Sequence, residues 1–115
     1  METGTFEWVK KDWGTEKILV NTELYASKIL YLDAGYQCSI HCHKIKDETF
    51  YMLEGEAVIE VGNEQILLAK DMSVRVPRGI YHRFKGLSDC RILEVSTQDS
   101  PTDSYRKSKS GRWHR

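Results

Sequence analysis

His41, His43 and His82, three of the chain's four histidines, have with Glu48 the types and spacing from which a small β-domain could build a site for one metal ion. They fall in two punctuated stretches, GYQCSIHCHKIKDETFYMLEG from residue 35 to 55 and DMSVRVPRGIYHRFKG from residue 71 to 86. Imidazoles at i and i+2 on a strand project to one face from bases roughly 6.6 Å apart, a separation from which both rings can converge on one cation. Glu48 follows His43 after a short loop and can supply a carboxylate, and His82 from the second stretch completes a mixed nitrogen and oxygen set with positions left for water or substrate. The competing reading of these residues is ordinary polar side chains of a β domain.

Strands must do the positioning. Residues 25–31, 37–43, 49–53, 57–61, 65–69, 73–76, 80–84 and 90–96 read as short strands separated by turns such as Asp33-Ala34-Gly35, Glu54-Gly55-Glu56 and Gly62-Asn63. No helical periodicity competes, so the fold class is all-β, a sandwich or barrel. If His41 and His43 face inward, alternation carries Gln37 and Ser39 with them; Glu48 carries Phe50 and Met52, and His82 carries Ile80 and Phe84. The result is a pocket with a polar metal end and an apolar wall. Tyr51, Tyr81 and Arg83 take the opposite phase, and Cys42 points away from the metal.

A chain of 115 residues is one domain with room for a single core. We expect an extended N-terminal arm over 1–24, a barrel over 25–100 and a basic tail over 101–115. No apolar run is long enough to span a membrane, and METGTFEWVKKDWG has no apolar signal region, so a cytoplasmic location is expected. Cys38, Cys42 and Cys90 are odd in number and lack CxxC spacing, which agrees with reduced thiols. Charge is balanced overall but uneven along the chain. Ser104 to Arg115 carries five of the 17 basic residues and no acidic one, which leaves a body of net charge −5. Such a tail can be solvated, fold against the acidic body or clamp a phosphorylated ligand; with Trp113 its only late aromatic besides Tyr105 and no basic stripe elsewhere, nucleic acid is not expected as a partner. Because the metal residues all precede it, the tail beyond Asp103 is expected to be separable from the metal site. Adjacent apolar pairs such as Val58 with Ile59 and Leu67 with Leu68 put apolar side chains on both faces of a strand, which predicts a homodimer.

The two stretches resemble the paired motifs of the cupins. The second reads Asp71-x5-Pro77-x-Gly79-x2-His82-x3-Gly86, with Asp71 and Gly86 at positions where the motif has glycine and asparagine, both of them turn positions. The resemblance implies a single-domain cupin, a small jelly-roll β-barrel, holding one divalent transition metal (Zn, Mn, Fe, Co or Ni) on His41, His43, Glu48 and His82. Within the cupins, WGTEKIL, PRGIYHR and LEVSTQDSPTDSYRKSKSGR are similar to the C-terminal isomerase domain of the type II mannose-6-phosphate isomerase/mannose-1-phosphate guanylyltransferases over residues 12–112. Trp13, Gly14, His41, His43, Glu48, His82, Arg83, Glu94, Arg106 and Arg112 match positions of interest. Two departures stand out: His41 replaces a usual glutamine, and Lys107-Ser108-Lys109-Ser110 replaces an Asp-x-Tyr between the terminal arginines.

That resemblance implies an aldose–ketose isomerase acting on a small-molecule sugar phosphate. A divalent cation would polarise the oxygens at carbons 1 and 2 while a base moves the proton. Arg106 and Arg112, with Arg83 next, are the candidates for the phosphate clamp, and Glu94 is a possible base or else a strand-end carboxylate paired with a lysine or arginine. Two other readings use the same ligands. An iron-dependent cupin dioxygenase would place an apolar substrate against Phe50, Met52 and Phe84, and a non-catalytic sugar- or metabolite-binding cupin would bind without turnover.

Overall fold

The alternation read from the sequence closes into two facing antiparallel sheets, described here for residues 3–113 from a computed structural model. The strands are β1 (Glu7–Lys11), β2 (Gly14–Asn21), β3 (Ala26–Leu32), β4 (Tyr36–Gln37), β5 (His41–Cys42), β6 (Glu48–Glu54), β7 (Ala57–Val61), β8 (Glu64–Leu68), β9 (Ser73–Val76), β10 (His82–Gly86), β11 (Cys90–Ser96), β12 (Tyr105–Arg106) and β13 (Gly111–Arg112). One sheet runs β1-β2-β3-β11-β6-β9. The other runs β12-β5-β10-β4-β13, with β7 on the other side of β10 and β8 beyond β7. No helix among the described residues is long and apolar enough to cross a membrane.

Period-2 burial is cleanest on β6, β10 and β11, whose inward residues alternate with partly exposed ones. Leu30, Leu32, Phe50, Met52, Ile59, Leu68, Val76, Phe84 and Ile92 form the core with Trp13. Each inward face then changes character along its length. On β3 the sequence runs Leu32, Leu30, Lys28; on β11, Cys90, Ile92, Glu94; on β6, Met52, Phe50, Glu48. Register brings the polar ends together, since Lys28 lies opposite Glu94 and Glu94 opposite Phe50. The sandwich therefore has an apolar end and a charged end.

Within the expected extended arm over 1–24, residues 7–11 and 14–21 form β1 and β2, which are integral strands of the first sheet. The strand expected over 80–84 begins two residues later, since the Pro77–Gly79 turn is fixed by bonds from the Gly79 N–H to the His43 carbonyl and from Ile80 to Pro77, leaving Ile80 exposed. The 37–43 strand is broken between β4 and β5. The tail is also structured: β12 pairs with β5 and β13 with β4, so the basic end folds against the body. Its last two residues, His114 and Arg115, lie outside the described residues.

Turn chemistry agrees with the backbone. Asp71, at the place of a motif glycine, has φ 69°, the left-handed conformation that aspartate tolerates better than most residues. Gly55, which closes the first stretch, has φ 91°, and a Cβ built there would lie 2.2 Å from the Asp89 carbonyl oxygen. Gly55→Ala should therefore lower stability by about 2 kcal/mol or more, combining strain at positive φ with a backbone clash. An unchanged thermal midpoint in calorimetry would show that the 54–56 turn does not have this geometry.

Candidate metal centre

His41 comes from β5, His43 from the loop that follows it, and His82 from β10, whose register sets His82 opposite His41. Ring centroids are 5.1 Å apart for His41 and His43, 4.5 Å for His41 and His82, and 5.9 Å for His43 and His82. One nitrogen from each lies within 4.8 Å of the others, so the three could hold one metal ion.

The tautomers follow from the hydrogen bonds. Nδ1 of His41 lies 2.7 Å from the Ser39 carbonyl, Nδ1 of His43 2.7 Å from the Asp103 carbonyl, and Nδ1 of His82 3.0 Å from the Ile80 carbonyl. A carbonyl oxygen only accepts, so each Nδ1 must donate and each neutral ring keeps its lone pair on Nε2. This is the outer-shell pattern found behind metal-bound histidines. His82 Nε2 is buried and has no hydrogen-bond partner, although Glu48 Oε2 stands 2.9 Å away. Two lone-pair donors facing each other at that distance need a cation or a proton between them, and a divalent metal fits the set. Burial, followed by the neighbouring His82, pushes the His41 imidazolium down to about 4, and burial with Lys46 lowers His43 as well. Both rings are thus neutral and ready to donate at pH 7.

Glu48 does not belong to the tight nitrogen cluster, but it abuts two of its members. Its Oε2 lies 3.7 Å from His43 Nε2, and its Oε1 is 3.3 Å from Lys46 Nζ. Burial alone would raise its pKa, but His82, with a proton shared between ring and carboxylate, and the Lys46 ammonium outweigh burial and hold the carboxyl down at about 2. One carboxylate oxygen is therefore aimed at the histidines while the other is anchored.

The anchor was not foreseen from sequence. Lys46 is 2% exposed and meets Glu48, Glu94 at 3.2 Å and Asp99 at 3.1 Å. Lys28 extends the array to Glu16 at 3.5 Å, Asp99 at 3.7 Å and Glu94 at 4.0 Å. Burial disfavours the charge on both lysines, but the carboxylates around them prevail and raise both pKa values. Strand phase carried the signal for each: Lys46 shares the parity of Glu48 and Phe50, and Lys28 that of Leu30 and Leu32. Asp103 was also missed, and nothing in its local sequence marks it. Its carboxylate accepts the backbone N–H groups of Lys44, Ile45 and Lys46, and its carbonyl takes the His43 proton.

The histidines open on a cavity of about 610 Å³. Phe50, Phe84, Leu30 and Trp13 form its apolar wall, and Glu16, Lys28, Lys46, Glu94 and Asp99 its charged wall. Of the residues read as catalytic, Glu94 and Arg106 line it. Glu94 is paired with Lys46, and burial raises its pKa against the pull of the two lysines. Arg83 and Arg112 lie elsewhere. Arg83 takes the outward phase of β10 and donates to Glu60 at 2.9 Å, while Arg112 is exposed beside the Tyr36 ring. Gln37 and Ser39 split as well, since Ser39 lines the cavity and Gln37 does not. The tail beyond Asp103 is not separable from the site: Arg106 pairs with His41, the Lys107 N–H bonds the Ile40 carbonyl, and Ser108 Oγ accepts the Ile40 N–H.

Known proteins agree with this architecture. Over its matched residues the chain is 22% identical to a mannose-1-phosphate guanylyltransferase of Sinorhizobium fredii, covering 76% of this chain and 17% of that one. The chain spans between 17% and 61% of the length of the curated relatives it matches. KdgF from Halomonas sp. superposes with a TM-score of 0.78 at 19% identity, covering 87% of this chain and 98% of that one. The capsular polysaccharide assembling protein CapF of Staphylococcus aureus superposes with a TM-score of 0.75 at 20% identity, covering 92% and 35%. The cupin domain matches residues 29–96, a span holding both sequence motifs and all three clustered histidines, and the chain belongs to the cupin family.

Proposed function

We propose that this cupin binds one divalent transition metal through His41, His43, His82 and Glu48 and acts, as a homodimer, on a sugar phosphate as an aldose–ketose isomerase. The observation that carries the metal assignment is the set of Nδ1 bonds to carbonyls, which leaves the Nε2 lone pairs free on three rings that each bring a nitrogen within 4.8 Å of the others. When bound, the metal supplies Lewis-acid polarisation of adjacent carbonyl and hydroxyl oxygens. The cavity wall is suited to a polyhydroxylated ligand, because Glu16, Glu94 and Asp99 can accept from hydroxyls that Lys28 and Lys46 can donate to. Glu94, with its pKa raised by burial and its charge steadied by two lysines, is the candidate to receive and return a carbon-bound proton. Arg106, exposed on the cavity wall, is the candidate to hold a phosphate. The likeness to a mannose-1-phosphate guanylyltransferase and to a capsular polysaccharide assembling protein supports a sugar over the apolar substrate a dioxygenase would take. The charged wall argues the same way. Oxygen consumption with Fe(II) would favour the dioxygenase, whereas metal-dependent interconversion of aldose and ketose phosphates without oxygen favours the isomerase.

Protein purified without chelator should carry close to one transition metal per chain by elemental analysis, and His43→Ala should lose most of it with the fold retained. A wild-type protein that neither carries nor takes up Mn, Fe, Co, Ni or Zn would contradict the ligand set.

Asp103 touches no metal, yet its carboxylate organises the loop that carries His43 toward Glu48. Asp103→Ala should weaken metal affinity about tenfold to a hundredfold, the range typical of outer-shell ligand partners. Titration with Zn(II) against a competing chelator measures this, and an affinity equal to wild type would remove Asp103 from the site.

Arg106→Ala should weaken sugar-phosphate binding by on the order of 1.5–3 kcal/mol, about ten- to a hundredfold, while leaving the unphosphorylated sugar unaffected. Equal losses for both ligands in calorimetric titration would show that Arg106 does not read the phosphate.

A further inference from the structure

Strand β1 ends the six-stranded sheet, and β2 is its sole strand partner among the described residues. Its sequence is Glu7-Trp8-Val9-Lys10-Lys11, with Glu7, Trp8 and Lys10 exposed and Val9 and Lys11 half-buried. An edge strand bearing lysines ordinarily resists pairing with another edge through repulsion. This strand has a register in which the repulsion becomes attraction.

We propose that β1 pairs antiparallel with β1 of a second copy about a two-fold axis at Val9, joining the two six-stranded sheets edge to edge. Residues directly opposite share a face, and here that sets Glu7 against Lys11 twice, Trp8 against Lys10 twice, and Val9 against itself. Neighbouring symmetric registers lose this. Centring on Trp8 puts Glu7 against Val9 and Phe6 against Lys10, whereas centring on Lys10 puts that lysine against itself. The Trp8 ring, 51% exposed, already has Lys17 Nζ 5.5 Å from its centroid, and Lys10 of the second copy approaches it from the free edge. The pairing covers an exposed tryptophan and satisfies an open row of backbone groups in one step.

The interface reaches the cavity. Val9 and Lys11 line its wall, so Glu7 of the second copy stands beside a cavity residue and neutralises Lys11 there. This inference rests on the homodimer proposed above and specifies its contact.

Sedimentation velocity on the full chain tests it with three variants, E7K, K11E and the E7K/K11E exchange. Wild type should be dimeric at tens of micromolar. E7K and K11E each place like charges opposite one another at two symmetry-related points and should raise the dimer dissociation constant roughly tenfold or more, while the exchange should restore it to within about threefold. A monomeric wild type overturns the dimer and the interface together. A dimer indifferent to E7K and K11E, or one that the exchange fails to restore, overturns the β1 interface alone.

Discussion

The site depends on one carboxylate that is not a metal-ligand candidate. Asp103 accepts three consecutive backbone N–H groups, from Lys44, Ile45 and Lys46, and these residues lie on the loop that carries the chain from β5 on one sheet through His43 to Glu48 on the other. A turn crossing between sheets leaves its N–H groups without a ladder, and a buried unpaired donor costs about 1–3 kcal/mol. Asp103 removes that cost at the buried Lys46 N–H, also holds the part-buried N–H groups of Lys44 and Ile45, and through its carbonyl orients His43 as well. With the crossing fixed, Lys46 enters the interior and Glu48 is held between it and the histidines. Through Asp103 the tail is therefore part of the candidate metal site.

Beyond this knot the structure resolves a conflict between burial and charge. Glu16, Glu48, Glu94 and Asp99 gather at one end of the sandwich around Lys28 and Lys46. Buried charges persist only where partners repay the lost hydration. Lys10, Lys11 and Arg106 on the same cavity wall offset the remaining carboxylates, so it is the histidine geometry that points to a cation at this end. The apolar end, with Met52, Ile59, Leu68 and Ile92 fully buried, supplies the rigid floor on which this arrangement stands.

Much of this was legible beforehand, for identifiable reasons. Strand alternation is a period of two, so once His41, His43, Glu48 and His82 were set inward, Phe50 and Phe84 followed onto the cavity wall, Met52 into the core beyond it, and Arg83 onto the opposite face. Ile80 broke the pattern because a proline and a left-handed glycine, Gly79, end the alternation before it begins. Lys46 and Lys28 carry the same parity signal, but lysine is rarely buried, and that prior fails where carboxylates wait inside. Asp103 and the tail pairings were beyond reach. They rest on contacts between residues about sixty positions apart, and no local pattern encodes them.

X-ray absorption at the zinc edge of the Zn(II)-loaded protein tests the central claim most directly. Three imidazole rings on one ion predict nitrogen and oxygen scatterers at about 2.0–2.1 Å, with outer-shell imidazole scattering that fits three rings. Scattering from sulfur at about 2.3 Å, or from one ring or none, would contradict the account by showing that the metal sits on the cysteines or outside the histidine cluster.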